Sequence, residues 1–594
     1  MRMKRLLQAG PILATAVLIL AAVAGATAYG SDTKVTVGSL PAPFSQNKQN
    51  EPAVAVNPAS PNIVAAGANE EVDMEACNNR ADTTCPFTGG VGTSGIYFSD
   101  TSGSTWIQPT YTGWTAHNCL GVPGTDPNNP ADNCDPQVGP IGTLPRYYEN
   151  GLVSDGDPAV GFGPQRGANG SFSWSNGWRL YYANLSANFS GGAFKGFEAI
   201  AVSRLDSQNY ADAKAGVNTA WKAPVIVSKQ NSALFSDHEM VAVDDAAASP
   251  FFGNVYVCNA AFRSQEKHGL PEPIVVNSSS DGGDTWRTSQ LSQSVNNQQI
   301  GGRQDCAVNT DSQGTLYVFW DGSDPATRTP AIFMVRSFDG GKTFGRPARV
   351  VTHFDPTGLQ DPESGDFTND GVAGARDGSF PTVDVANGAP TGAGASDEIV
   401  LAFSNGPTPS NTNPGPNERV RVLYSTNRGV SWTESASAAS PPSDRPDFPA
   451  IAISPNGRDA YLTYMDFLQP WQSTTGLPRN FKGVVRHADV DPLTGVIGPW
   501  GDLNRGPMGD ARGSSANALT DEVLGDYDYA FATNAFGVAV WNDARNAADC
   551  PAIDAYRQSL VDGTSVARPA PQQNCAPNFG NTDIYGGSYA DPTP

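Results

Sequence analysis

One pattern of apolar and polar positions recurs seven times along the chain. A polar or acidic residue opens a short run of small apolar residues, a turn follows, and a second apolar run returns. The openers are Glu51-Pro52-Ala53-Val54-Ala55-Val56, Asp157-Pro158-Ala159-Val160-Gly161-Phe162, Glu239-Met240-Val241-Ala242-Val243, Asp305-Cys306-Ala307-Val308, Pro381-Thr382-Val383-Asp384-Val385, Pro449-Ala450-Ile451-Ala452-Ile453 and Tyr527-Asp528-Tyr529-Ala530-Phe531. Their partners include Asn62-Ile63-Val64-Ala65-Ala66, Leu180-Tyr181-Tyr182-Ala183, Val255-Tyr256-Val257, Leu316-Tyr317-Val318-Phe319-Trp320, Ile399-Val400-Leu401-Ala402-Phe403, Ala460-Tyr461-Leu462-Thr463-Tyr464 and Val538-Ala539-Val540-Trp541. These runs have strand length and strand composition, and no segment sustains a helical period. The pattern predicts an all-β chain of four-stranded antiparallel blades, seven by count, with six as the alternative. A single blade cannot bury both faces, so blades stack around an axis until the last meets the first.

Four hairpins carry a second repeat. It reads Ser279-Ser280-Asp281-Gly282-Gly283-Asp284-Thr285-Trp286, then Ser337-Phe338-Asp339-Gly340-Gly341-Lys342-Thr343-Phe344. Ser425-Thr426-Asn427-Arg428-Gly429-Val430-Ser431-Trp432 has Asn in the Asp place, and Ser99-Asp100-Thr101-Ser102-Gly103-Ser104-Thr105-Trp106 has Thr there. The Asp carboxylate is suited to tie off a turn through backbone N–H groups, and the aromatic to bury against the next sheet. The phrase resembles the Asp-box, or BNR repeat, of the sialidase-like β-propellers, over most of the chain after its leader. That resemblance implies a propeller of residues 50–563.

Composition narrows the setting. Arg2, Lys4 and Arg5 precede an apolar stretch from Pro11 to Val23 and then small residues, so 1–28 reads as a secretory signal. No later segment has the length and apolarity of a membrane span. The formal charge is −22, or −25 once the three basic residues of the leader are removed, and no basic patch appears; nucleic acid is excluded as a partner. Residues 29–49 read as a polar extension that pairs with the last blade or stays loose, and 564–594 as a Pro-rich tail. Eight cysteines in an exported chain predict the disulfides Cys77–Cys85, Cys119–Cys134, Cys258–Cys306 and Cys550–Cys575.

Chemistry is sought at the openers, whose starts share one mouth of the ring. They carry Glu51, Asp157, Asp237, Glu239, Asp305, Asp447 and Asp526, with His238, Arg303, Arg445 and Tyr527 at similar offsets. Paired carboxylates are what glycoside hydrolysis uses. The sialidase resemblance implies Arg303 and Arg445 as clamps for a substrate carboxylate, Tyr527 as nucleophile with Glu239 as its partner, and Asp157 as acid/base. The family's arginine-bearing signature is absent at the first opener, where Asn50-Glu51-Pro52 stands, and the family is six-bladed. The expectation is a secreted propeller acting on an extracellular glycan or glycoconjugate, as a glycoside hydrolase of exo-sialidase character; the alternative is a non-catalytic propeller that binds polysaccharide or protein. No cofactor is required by this chemistry. Asp126, Asn128, Asn129, Asp132, Asn133 and Asp135, or Asp361, Glu363, Asp366 and Asp370, offer oxygens for a structural calcium.

Overall fold

The computed structural model describes residues 32–593 except 78–84, 86, 118–135, 190–191, 264–269, 297–302, 361–366, 370–372, 407–417 and 470–471. The leader, the Cys119–Cys134 pair and both candidate calcium loops, Asp370 included, lie outside the described residues; of the first loop only Asp135's neighbours from 136 onward are described.

Seven antiparallel sheets follow one another around an axis. Each opener is the inner strand of a blade: Gln49–Val56, Ala159–Arg166, Phe235–Val243, Arg303–Thr310, Thr382–Val385, Pro446–Ile453 and Tyr529–Ala532. The second strands pair with them as the apolar pattern requires, for instance Ala307↔Phe319 and Ala450↔Thr463. Neighbouring blades bury their faces against each other, with Trp221, Trp320 and Trp541 fully enclosed. Three disulfides form as expected, Cys77–Cys85, Cys258–Cys306 and Cys550–Cys575. Cys258–Cys306 joins the second strand of blade three to the inner strand of blade four. Among the described residues no helix is long and apolar enough to cross a membrane.

The ring extends beyond 50–563. The third strand of blade seven is Asp583–Ala590, inside the expected tail, and its neighbour is Thr33–Lys34 from the chain start. Thr33 faces Gly586 and Lys34 faces Tyr585, so the two chain ends close the last blade together. Lys34 Nζ reaches Asp583 Oδ1 at 2.6 Å, and Val35 N–H donates to Ile584 O at 2.8 Å. Asp583-Ile584-Tyr585-Gly586-Gly587-Ser588 has too little apolar alternation to announce a strand; it is recruited by the unpaired edge of Phe536–Asp543.

The four repeated hairpins share one bonding scheme. Gly283, Gly341, Gly429 and Gly103 N–H each donate to the hydroxyl of the leading serine at 2.9 Å. Asp281 Oδ1 accepts from Thr285 N–H at 3.0 Å and Asp339 Oδ1 from Thr343 N–H at 2.8 Å. Asn427 Oδ1 and Thr101 Oγ1 take the same role, both at 2.9 Å. A neutral side chain with one acceptor oxygen is therefore enough to hold the turn.

One irregularity positions the site. The inner strands of blades one, three, four and six each lose register at the same place, between Asn50 and Ala53, Asp237 and Met240, Gln304 and Ala307, and Asp447 and Ala450. Glu51, His238, Asp305 and Phe448 there take φ of 54°, 47°, 55° and 50°, and Asp157 of blade two takes 49°. Positive φ is costly for residues bearing a side chain, and a bulge re-aims the side chains around it. Five blades thus carry the same bend at the same end of the ring.

Candidate active site at the bulged mouth

The bends bring the opening residues of blades one, two, three, four and seven together. The side chains of Asp157 and Glu51 meet in a hydrogen bond. Burial and the neighbouring Glu51, Asp237 and Glu239 hold the Asp157 carboxyl protonated well above the ordinary range. Asn69 braces the pair: its Nδ2 donates to Glu51 Oε2 at 2.5 Å and its Oδ1 accepts from Asp157 N–H at 2.8 Å. Gly525, at φ 81°, lets the next loop lie on Glu51; a Cβ there would stand 2.5 Å from the Glu51 Cγ.

Glu239 is 3% exposed, and neither of its carboxylate oxygens has a hydrogen-bond partner among the described residues. Burial, with Asp237 and Glu51 nearby, keeps it protonated well above its usual range. Tyr527 is buried beside Asp157, Glu51 and Glu239, and burial followed by those charges pushes its phenol up. His238 stands between aromatic rings, 4.9 Å from Tyr527 and 5.5 Å from Phe380, with Nδ1 3.0 Å from Asp305 Oδ1. Burial lowers the His238 pKa, but the Asp305 carboxylate outweighs it and the net direction is up.

Two further carboxyl pairs lie at the same end. Asp155 bonds Glu198, whose carboxyl is raised by burial and by Asp155, Asp237 and Glu239. Asp377 bonds Asp447; burial lifts Asp377 to about 6 and Asp447 well above its usual range. Below the mouth, a cavity of ≈ 70 Å³ touches His238, Asp305, Tyr527 and Tyr529. Further along the axis, an apolar cavity of ≈ 330 Å³ is lined by Val54, Val160, Val241, Val308, Val383 and Ile451.

Of the five residues singled out in the sequence, Asp157, Glu239 and Tyr527 come together here. Arg303 and Arg445 take other company. Arg445 donates to both oxygens of Glu418, Nε at 2.6 Å and Nη2 at 3.0 Å. The backbone N–H of Arg303 donates to Glu272 at 3.1 Å, and the Glu272 carboxylate partly offsets the cost of burying its guanidinium. The charges that act most on Tyr527 are those of Asp157, Glu51 and Glu239. Asp155, Glu198, Asp377, Glu418 and Arg376, which pairs with Asp526 at 2.5 Å, were not anticipated. Asp155 was readable two residues before Asp157; the others sit in loops or at later strand starts, outside the opener repeat.

No protein-family model matches the chain, and no curated protein matches it in sequence. Among solved structures, it is similar to a Trypanosoma rangeli sialidase in complex with 2,3-difluorosialic acid, at 13% identity and a TM-score of 0.36 over 87% of this chain and 74% of that one. It is similar also to a Penicillium chrysogenum alpha-L-arabinanase complexed with arabinobiose, at 11% identity and 0.36 over 73% and 93%. A Hadza microbial sialidase matches at 13% identity and 0.34 over 61% of this chain, which spans 60% of that sialidase. The ring of seven antiparallel blades expected from the sequence is the fold observed, and these likenesses carry no statement about family or activity.

Proposed function

We propose that the protein is a secreted glycoside hydrolase acting on an extracellular glycan at the bulged mouth. The observation that supports this most is the convergence of the Tyr527 phenol with the carboxyls of Asp157, Glu51 and Glu239. Paired carboxyls set about one bond are what glycoside hydrolysis uses. Asp157, keeping its proton through Glu51, donates it to the departing glycosidic oxygen. Glu239, once it has lost the proton that burial holds on it, takes the Tyr527 proton as the phenol oxygen bonds the anomeric carbon. Water then attacks the anomeric carbon and breaks the glycosyl–tyrosine bond, Asp157 taking a proton from the water while Glu239 returns its proton to the departing Tyr527 oxygen. Secretion rests on the leader-like segment 1–28 and the disulfides.

Exo-sialidase character would require Arg303 and Arg445 to hold an anionic sugar. Both have glutamates beside them, and a mouth this acidic suits a neutral sugar better. The test is a release screen of purified mature protein against neutral and sialylated glycans, with Tyr527→Phe and Asp157→Asn beside it. Turnover of one glycan class, lowered at least a hundredfold in both variants with melting retained, is the expected result. Binding without turnover in every arm would favour the non-catalytic alternative.

A further inference from the structure

At the opposite end of the ring, blade six departs from the repeat. In blades one, three, four and five the first residue of the second strand is apolar and faces the leading serine of the hairpin: Val64↔Ser99, Val255↔Ser279, Leu316↔Ser337 and Ile399↔Ser425. Blade six places Asp459 opposite Asp489 in that register. The next pair on the same face is Tyr461↔His487, since alternate residues of paired strands share a face. Asp591, directly after the closing strand of blade seven, completes the group. One donor atom from each of Asp459, His487, Asp489 and Asp591 lies within 4.8 Å of all the others.

We propose that Asp459, His487, Asp489 and Asp591 form a binding site for a divalent first-row metal ion, zinc by its donor set, which clasps blade six to blade seven. His487 Nε2 stands 3.3 Å from Asp459 Oδ1 and 3.8 Å from Asp591 Oδ1. Asp459 and His487 are buried, while Asp489 is exposed and Asp591 half-buried, which leaves an entry path. Among the described residues the ion pairs of Asp459 and Asp591 run to His487 alone. Three carboxylates this close repel one another unless a cation joins them.

A second observation points into the same place. Tyr461 is 1% exposed and its hydroxyl has no hydrogen-bond partner among the described residues. Its ring lies against His487, with centroids 5.1 Å apart. Tyr461 shares its face of the sheet with Asp459 and, across the strand pair, with His487 and Asp489. A buried orphan hydroxyl beside three acids fits a site whose remaining coordination or water it completes. The Thr593 hydroxyl bonds Asp489 and, at 3.2 Å, Asp591, so the end of the chain covers the group.

The donors select the ion. One imidazole nitrogen and three carboxylate oxygens suit four-coordinate zinc. Calcium takes six to eight oxygens and does not favour imidazole. Full-length mature protein is stripped with chelator and titrated with zinc chloride, with metal counted by elemental analysis. We expect one zinc more per chain in the wild type than in Asp591→Asn or His487→Gln, a higher Tm with zinc, and X-ray absorption showing mixed nitrogen and oxygen ligands. Affinity falls at least tenfold in each variant. Asp489→Asn, at an exposed position, gives the same loss without endangering the fold. Equal zinc content in wild type and variants, or calcium bound in preference to zinc, would overturn the proposal. Because the readout is metal content, it stands or falls apart from glycan turnover.

Discussion

Glu239→Gln separates the cost of the mouth from its use. The wild-type carboxyl sits buried with both oxygens unpartnered, and its pKa in the folded chain is raised above the ordinary 4.5. In the unfolded chain it ionises near 4.5, so the folded state holds one more proton at higher pH. Stability from this group is therefore complete below that value and declines as pH rises toward the raised folded pKa. Linkage makes the slope about 1.4 kcal/mol per pH unit for one proton, or a ceiling of about 2.7 kcal/mol between pH 5 and pH 7. Unfolding entropy near 2.1 cal/mol/K per residue over ~560 residues is ~1.2 kcal/mol/K, so the ceiling equals about 2 °C in Tm. Glutamine has no proton to lose. The Tm of Glu239→Gln minus that of wild type should therefore grow by up to about 2 °C from pH 5 to pH 7. The neighbouring acids titrate in both proteins and largely cancel. Calorimetric scans in matched buffers give the difference, and a glycan-release assay on the same samples should show the variant impaired. A Tm difference that stays flat with pH, or that falls, would refute the assignment of Glu239 as a buried protonated acid.

Asp339→Ala should destabilise its hairpin by about 1 kcal/mol, because the carboxylate bonds Thr343 N–H, Lys342 N–H and the Thr343 hydroxyl but is well solvated. Those bonds hold Asp339 down to about 2, so its contribution is present above the ordinary 3.8 and fades as pH falls toward 2; a denaturation series at pH 3 and pH 6 checks this. Asp339→Asn should lose less than the alanine variant, since Asn427 already serves the equivalent hairpin. Replacing Cys258 and Cys306 together with alanine removes a link across 48 residues of sequence, worth up to about 4 kcal/mol by loop entropy, and should lower the denaturant midpoint without altering turnover.

The ring was legible because its evidence is local. Alternating strands and hairpin phrases recur within single blades, and each copy supports the rest. Closure was only half legible: the segment 29–49 was left to pair with the last blade or stay loose, and it pairs, but its partner in the tail was not foreseen. Thr33–Lys34 is two residues long, and Asp583–Ala590 carries adjacent glycines at Gly586 and Gly587; neither has a periodicity to read. Both become strands only because a blade with two strands in place offers an open edge. The bulges were half visible. An acid before proline marks Glu51 and Asp157, but His238 and Asp305 reach the same bend without proline.

The site divides along the same line. Glu51, Asp157, Glu239 and Tyr527 start inner strands, so a repeat that locates those strands also locates the residues. What a repeat cannot give is which opener faces which partner, because that depends on loops outside the repeat. Arg445 and Arg303 stand at opener offsets as Tyr527 does, yet Glu418 engages the first and Glu272 tempers the charge of the second. Glu198 and Asp377 enter the mouth from elements with no repeat signature and pair with Asp155 and Asp447. The blade-six cluster shows the converse. Asp459 and Asp489 look like ordinary polar ends of strands until they are set against the apolar–serine pair at the same register in four other blades. A repeat thus does most for function where one copy breaks it, since a substitution that sacrifices packing at one blade alone calls for a local reason.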